Sequence, residues 1–208
     1  INRIAVDREK KKVLQLLTRQ IIDSGEIISS SMNILVELDF IHARARLAKV
    51  MQARLCPIRQ GCELQLNKAF NPELILNGKD VIPNDIAWDQ STHVIIISGP
   101  NTGGKTVTLK TVGLMTLMVR AGLFLPVDKE SHIPFYPEVY ADIGDEQSIE
   151  LSLSTFSAHI KKIIHIMNHA ASGSLILLDE RGLATDPHEG ASLAEAMLTE
   201  LNDKGVTT

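Results

Sequence analysis

The sequence predicts an α/β fold in which a mainly parallel sheet carries helices on its faces and a helical segment precedes it. Three observations point there. Residues 1–56 contain no proline and space their apolar residues as helices do. From residue 57 the chain breaks into short segments punctuated by Gly, Pro and Asn, in which apolar runs alternate with amphipathic stretches, the order of parallel strands joined by helices. The apolar run Val94-Ile95-Ile96-Ile97 leads into Gly99-Pro100-Asn101-Thr102-Gly103-Gly104-Lys105-Thr106, a glycine-rich turn that opens a helix-forming stretch. The chain thus divides into a helical segment, 1–56, and an α/β domain, 57–208.

Within the first segment, Val13, Leu16, Leu17 and Ile21 form one apolar stripe, which breaks at Ser24-Gly25. A second helix is expected from the Ser29-Ser30-Ser31 cluster, with Ile34, Leu38, Ile41, Ala45 and Ala48 at spacings of three and four and Pro57 just past its end. The expectation is two packed helices without a catalytic constellation. Beyond them, strands are expected near 94–98, 138–142 and 174–179, and helices near 104–120, 154–170 and 188–203. No internal repeat stands out.

Composition narrows the function classes. The 208 residues are 44% hydrophobic, enough for a sizeable core. Lys and Arg total 21 against 25 Asp and Glu, a net charge of −4, and no long basic run offers a duplex-sized phosphate footprint. Two cysteines, Cys56 and Cys62, are too few for a disulfide framework or a four-ligand zinc site, so reduced thiols are expected. With neither a membrane span nor a signal peptide in the pattern, a cytoplasmic location without membrane association is the expectation. The chain begins at Ile1 and ends on the β-prone Val206-Thr207-Thr208, which suggests a piece of a longer protein.

The turn at 99–106 reads as a phosphate-binding P-loop. Glycines let backbone N–H groups turn inward around an anion, and the helix behind adds about half a positive charge at its N-terminus. Lys105 can reach the terminal phosphates and Thr106 can offer its hydroxyl to Mg²⁺. A P-loop needs a second carboxylate for the metal, and Leu175-Ile176-Leu177-Leu178-Asp179-Glu180 supplies one where a doubly buried strand ends. Asp179 would bind in the Mg²⁺ shell. Glu180 points to the opposite side of the strand and could orient or deprotonate the attacking water. The plainer alternative is a buried strand that happens to end in surface acids. Thr106 and Asp179 lie 73 residues apart, long for a minimal nucleotide kinase and roomy enough for the inserted helical segment of an ABC-type ATPase.

That insert holds Ser152-Leu153-Ser154-Thr155-Phe156-Ser157, just before a helix with the apolar face Phe156, Ile160, Ile163, Ile164 and Met167. Ser and Thr there are helix caps first; the further reading has Ser154 and its helix end meet the γ-phosphate held by another subunit. His165 and His169 have the spacing of a zinc pair, yet no third ligand is evident, and they read as ordinary helix residues. His42, His93, His132 and His188 form no pattern.

Together these residues resemble the MutS superfamily, in particular its second bacterial branch, MutS-II, which is linked to suppressing recombination. The matching runs are Val81-Ile82-Pro83-Asn84-Asp85-Ile86, Gly99 through Leu114, Ala141-Asp142-Ile143-Gly144-Asp145-Glu146-Gln147-Ser148-Ile149, Leu153-Ser154-Thr155-Phe156-Ser157, and Leu178-Asp179-Glu180 with Thr185-Asp186-Pro187. Helices 1–56 are similar to the end of the family's core and lever region. The resemblance implies an ABC-type ATPase that binds ATP and Mg²⁺ and works as a homodimer, with each nucleotide held between one P-loop, Gly99 to Val107, and the Ser154 region of the partner. It implies Val81 at the adenine position and Lys105, Glu180 and Ser154 as the catalytic set. It also implies DNA, branched or duplex, or a stalled ribosome as the target of the full-length protein, with any nuclease domain outside this chain. The Phe-x-Glu motif of the mismatch-reading branch is absent: two residues beyond Phe40, Phe70, Phe124, Phe135 and Phe156 stand His42, Pro72, Pro126, Pro137 and Ala158.

Three departures from the family bear on function. After Glu180 relatives read Leu-Gly-Ala-Gly-Thr-Asp-Pro, whereas this chain has Arg181-Gly182-Leu183-Ala184-Thr185-Asp186-Pro187; if the second glycine takes a positive φ, Ala184 costs about 1 kcal/mol or more. Phe70-Asn71-Pro72 stands where relatives have Arg-His-Pro, and Val81 where the repair branch stacks an aromatic on adenine. The family continues past 208 into a histidine that senses the γ-phosphate. Two further hypotheses remain beside the ATPase: a nucleotide-gated dimerisation module with negligible hydrolysis, suggested by Arg181 and Ala184, and a small-molecule kinase, which lacks an acceptor motif or an arginine lid.

Overall fold

Helix α1, Asn2–Asp23, and helix α2, Gly25–Val50, follow one another with one turn residue between them. In the computed structural model, which describes residues 2–100, 103–143, 153–179 and 187–208 and their side chains except at 2, 153–159 and 187–191, the chain divides into two units, Ile1–Arg46 and Leu47–Thr208. The division falls inside α2, upstream of the change in texture at residue 57.

The first unit differs from the packed pair expected. Ser24 keeps both helical bonds, its N–H to Gln20 O at 3.2 Å and its carbonyl to Ile28 N at 3.0 Å, so the second helix starts at Gly25 rather than at the serine cluster. Gly25 stays out of the left-handed region, and nothing turns the chain back. Val13, Leu16, Leu17 and Ile21 are all exposed, and α2 buries no residue.

The second unit contains β1 (Ile58–Arg59), β2 (Leu64–Ala69), α3 (Pro72–Leu76), β3 (Asn84–Trp88), α4 (Lys105–Arg120), β4 (Ile133–Pro134), β5 (Val139–Asp142), α5 (Leu153–His169), β6 (Leu175–Leu178) and α6 (Pro187–Asp203). Among the described residues these strands form three two-stranded ladders. The pairs β1–β4 and β5–β6 are parallel and β2–β3 is antiparallel, a mixed α/β architecture. Helices α4, α5 and α6 fall close to the expected ranges, as do β5 and β6.

The strand expected near 94–98 forms no ladder. Its main chain is joined to Thr208 by Ile95 N–H to Thr208 O at 2.8 Å and Thr208 N–H to His93 O at 2.7 Å, the spacing of a single parallel bridge. Thr207 in turn bridges Leu175 in parallel, which orders the segments 93–95, 206–208, β6 and β5 side by side.

Strand β6 is covered on both faces because its residues alternate. Leu175 and Leu177 pack with Val112 of α4 and with Tyr136, while Ile176 packs with Ile166 and Ala170 at the end of α5, Leu201 of α6 and Val206. A third cluster joins Leu64 and Leu66 of β2 to Met115 and Val119 of α4. Burial pushes the Tyr136 phenol up to about 12; its hydroxyl has no hydrogen-bond partner, Thr207 and Trp88 lying near but outside bonding geometry. Helix α4 lies so close to β6 at Gly113 that a Cβ there would come within 2.6 Å of Leu177 Cδ1. No helix among the described residues is long and apolar enough to cross a membrane.

Candidate functional site

Helix α4 begins at Lys105, immediately behind Gly104, whose φ of 80° and ψ of 17° lie in the left-handed region. A Cβ at Gly104 would meet nothing within 4 Å, so glycine is required there by backbone conformation rather than by space. Gly103 N–H donates to Pro100 O at 2.9 Å and closes the turn, and Thr108 N–H to Gly104 O at 2.8 Å is the first helical bond. Gly104 has no side chain with which to cap the helix, so the first-turn amides point out of its N-terminus, where they and the helix dipole favour an anion. The Lys105 ammonium folds over this turn and donates to Gly99 O at 2.9 Å.

The structure brings Lys105, Thr106 and Asp179 together. Thr106 Oγ1 donates to Asp179 Oδ2 at 3.1 Å, closing the 73-residue gap between the P-loop helix and the end of β6. Asp179 is held from its other side as well: its N–H donates to Asp142 O at 3.0 Å, so the end of β5 fixes the backbone that presents the carboxylate. Beside this pair lies a cavity of about 330 Å³, walled by Ile95, Ile96, Ile97, Leu109, Ile176 and Leu178 with Lys105 and Asp179 among its lining.

The donor set fits a magnesium ion delivered with phosphates. A hydroxyl and a carboxylate are hard oxygen ligands, and Mg²⁺ is commonly held by one or two carboxylates together with phosphate oxygens and water.

The sequence reading missed what fixes α4 in place. Asn71 caps α3 by accepting Leu74 N–H at 3.0 Å, and its amide nitrogen donates to Thr111 Oγ1 at 2.9 Å; the residue is 4% exposed. Asn84 reaches Thr108 Oγ1 at 3.4 Å. Both threonines also bond back into their helix, to Val107 O at 2.7 Å and Gly104 O at 3.1 Å. The available signal was Asn71-Pro72-Glu73, a cap residue followed by proline at the first helical position.

The remaining expected residues lie apart from this cluster. Val81 lines a different cavity, of about 460 Å³, with Phe70, Ile75 and Lys79 and with none of the described residues of 99–107; the neighbouring Ile82 is 86% exposed. Ser154 is the second residue of α5. Its side chain, and Asn101, Thr102, Glu180, Arg181 and Ala184, fall outside the described residues. Further along α5, Lys162 Nζ donates to Asp142 Oδ1 at 3.2 Å. His165 and His169 stack with ring centroids 4.1 Å apart, His169 Nδ1 lying 2.8 Å from His165 O.

Residues 95–208 match the family model described as MutS domain V. Similar curated proteins are each named Endonuclease MutS2. The one from Bacillus cytotoxicus is 43% identical over 203 residues, covering 98% of this chain and 26% of that protein. Those from Geobacillus sp. (strain WCH70) and Lactobacillus helveticus are 44% and 48% identical over 206 and 193 residues, covering 99% and 93% of this chain and 26% and 24% of theirs. The chain thus spans about a quarter of the length of the curated relatives it matches.

Proposed function

Because this chain belongs to the MutS family, through the domain V that its residues 95–208 form, we propose that it binds ATP with Mg²⁺ and hydrolyses it to drive a homodimeric clamp on DNA in the full-length protein. The observation that carries the reading is the contact of Thr106 with Asp179 at a glycine-capped helix start, with Lys105 beside it. A phosphate chain seated on the first-turn amides of α4 would draw the Lys105 ammonium away from Gly99 O toward the terminal phosphates. Thr106 and Asp179 would hold the magnesium ion, which when bound supplies neutralisation of phosphate charge. Glu180 would orient and deprotonate the attacking water, and Ser154 of the partner subunit would meet the γ-phosphate at the start of its helix. Ile95, Ile97 and Leu178 give the pocket behind Lys105 an apolar wall.

Branched DNA, with suppression of recombination as the outcome, is the target this reading favours; a stalled ribosome is the alternative within the same family. The endonuclease activity in the relatives' names is assigned to parts of the protein beyond this quarter. The reading is tested by Glu180→Gln in the full-length protein: ATP binding is retained and turnover falls by about a hundredfold or more. Unchanged turnover removes Glu180 from the chemistry. Tight ATP binding with negligible turnover even in the unsubstituted protein, and dimerisation that still responds to ATP, instead identifies a nucleotide-gated module.

A further inference from the structure

We propose that Asp142 and Lys162 form a positioning pair that sets the orientation of α5, and with it Ser154, relative to the strand end that presents Asp179. The proposal rests on the nucleotide reading above. Asp142 closes β5 and pairs in register with Leu178, the residue before Asp179. Its carbonyl accepts Asp179 N–H at 3.0 Å, and its carboxylate accepts Lys162 Nζ at 3.2 Å from the middle of α5. One residue therefore grips the metal-site strand through its main chain and the neighbouring helix through its side chain.

Among the described residues, the other contacts of α5 with the sheet are apolar packing and an edge contact of the His165 ring with Tyr140, centroids 6.5 Å apart. Ile166 and Ala170 pack on Ile176, and burial of apolar surface gains the same free energy over a range of helix rotations and slides. A charge-assisted hydrogen bond does not, because its strength falls steeply with distance and angle. The Asp142 side chain is 1% exposed and that of Lys162 60%, so the carboxylate depends on protein partners while the ammonium remains hydrated. Lys162 lies nine residues from Leu153, about 13 Å along the axis at 1.5 Å per residue. A small rotation about this anchor becomes a larger displacement at the helix start. A change in what Asp179 binds is thus passed, through Asp142, to the end of α5 that carries Ser154.

The test uses the full-length protein and three readouts: Mg²⁺-dependent ATP turnover, affinity for a fluorescent ATP analogue, and hydrogen exchange of the α5 amides with and without non-hydrolysable ATP. Lys162→Met and Asp142→Asn should each lower turnover about tenfold while analogue affinity is unchanged, and should abolish nucleotide-induced protection of the first turns of α5. The double variant should be no worse than the worse single, and Lys162→Arg should recover most of the turnover. Unchanged turnover and protection in both single variants, alongside loss of turnover in Lys105→Ala, overturns the pair and leaves the nucleotide site standing. Turnover, affinity and protection throughout the second unit all falling together also overturns it, since the pair then only holds the fold. Turnover in Lys105→Ala equal to the unsubstituted protein refutes the nucleotide reading itself, and the pair with it.

Discussion

Asn71→Asp exchanges one nitrogen for one oxygen at a buried contact between α3 and the P-loop helix, and the consequence can be worked out atom by atom. Only an oxygen can accept Leu74 N–H, so the amide orientation is fixed and its nitrogen faces Thr111 Oγ1. That hydroxyl gives its proton to Val107 O at 2.7 Å and accepts from the Asn71 amide. An ionised carboxylate keeps the α3 cap but turns its second oxygen toward a lone pair, 2.9 Å away, at a site 4% exposed. Loss of the hydrogen bond and burial of a charge supported only by Leu74 N–H cost about 3 kcal/mol, less a few tenths regained from the α3 dipole. Asn71→Ala loses the cap and leaves one acceptor unsatisfied, about 2 kcal/mol. A protonated carboxyl can donate to Thr111 and restores the pattern. The folded-state pKa of the introduced group is therefore raised: its penalty is absent below about pH 4 and grows as pH rises, levelling off about two units higher. Urea unfolding followed by Trp88, the chain's one tryptophan, measures this directly. With a slope of about 2 kcal/mol per molar, the midpoint at pH 7 should fall by about 1.5 M, and at pH 4 it should approach that of the unsubstituted protein. A midpoint within about 0.3 M of the unsubstituted protein at pH 7, or a penalty independent of pH, would refute the assigned hydrogen-bond directions.

Two further outcomes follow from the side-chain environments. Burial pushes the Cys56 thiol up to about 11, whereas Cys62 is half-buried and donates its Sγ proton to Gln90 O; at pH 8 a thiol reagent should label Cys62 in the native protein and Cys56 only on unfolding, and rapid double labelling would contradict the packing. The Asp89 carboxyl is held below its usual range, first by the Ser91 hydroxyl at 2.7 Å, then by the Thr92 hydroxyl at 2.9 Å and the Ser91 N–H. A depressed folded pKa gives stability that is present above the unfolded value of about 3.9 and lost as pH falls through the folded one, so the melting-temperature deficit of Asp89→Asn at pH 7 should shrink as pH is taken below about 3.9.

What could be read from the sequence was local chemistry. Gly104, Lys105 and Thr106 are neighbours whose spacing dictates a backbone conformation, and Leu175 to Asp179 is a run whose burial and end are both written in its composition. Helix α4 was placed within a residue of its observed start for the same reason. The antiparallel β2–β3 pair escaped notice because Leu64 and Leu66 carry a pattern too short to stand out, and its partner lies beyond α3 and a break at Asn77-Gly78. The strand at 94–98 was overread: four consecutive β-branched residues express a propensity, but a ladder needs a neighbour, and Thr208 supplies one bridge. The hold of Asn71 and Asn84 on α4, and the link from Asp142 to Asp179 and Lys162, pair residues that are distant in sequence. Nothing in the composition of one partner names the other.

The order of segments across the sheet has a consequence for synthesis. Residues 206–208 lie between the segment that leads into the P-loop and β6, so β6 can pair with β5 early, whereas the segment before the P-loop cannot join the sheet until 208 has been made. At roughly 5–20 residues per second, the interval after Ile97 has emerged is roughly 5–20 s. Through that interval Val94-Ile95-Ile96-Ile97 is an uncharged β-prone run without its native neighbour. The P-loop thus acquires the sheet that backs it only after the whole of 98–208 has been made.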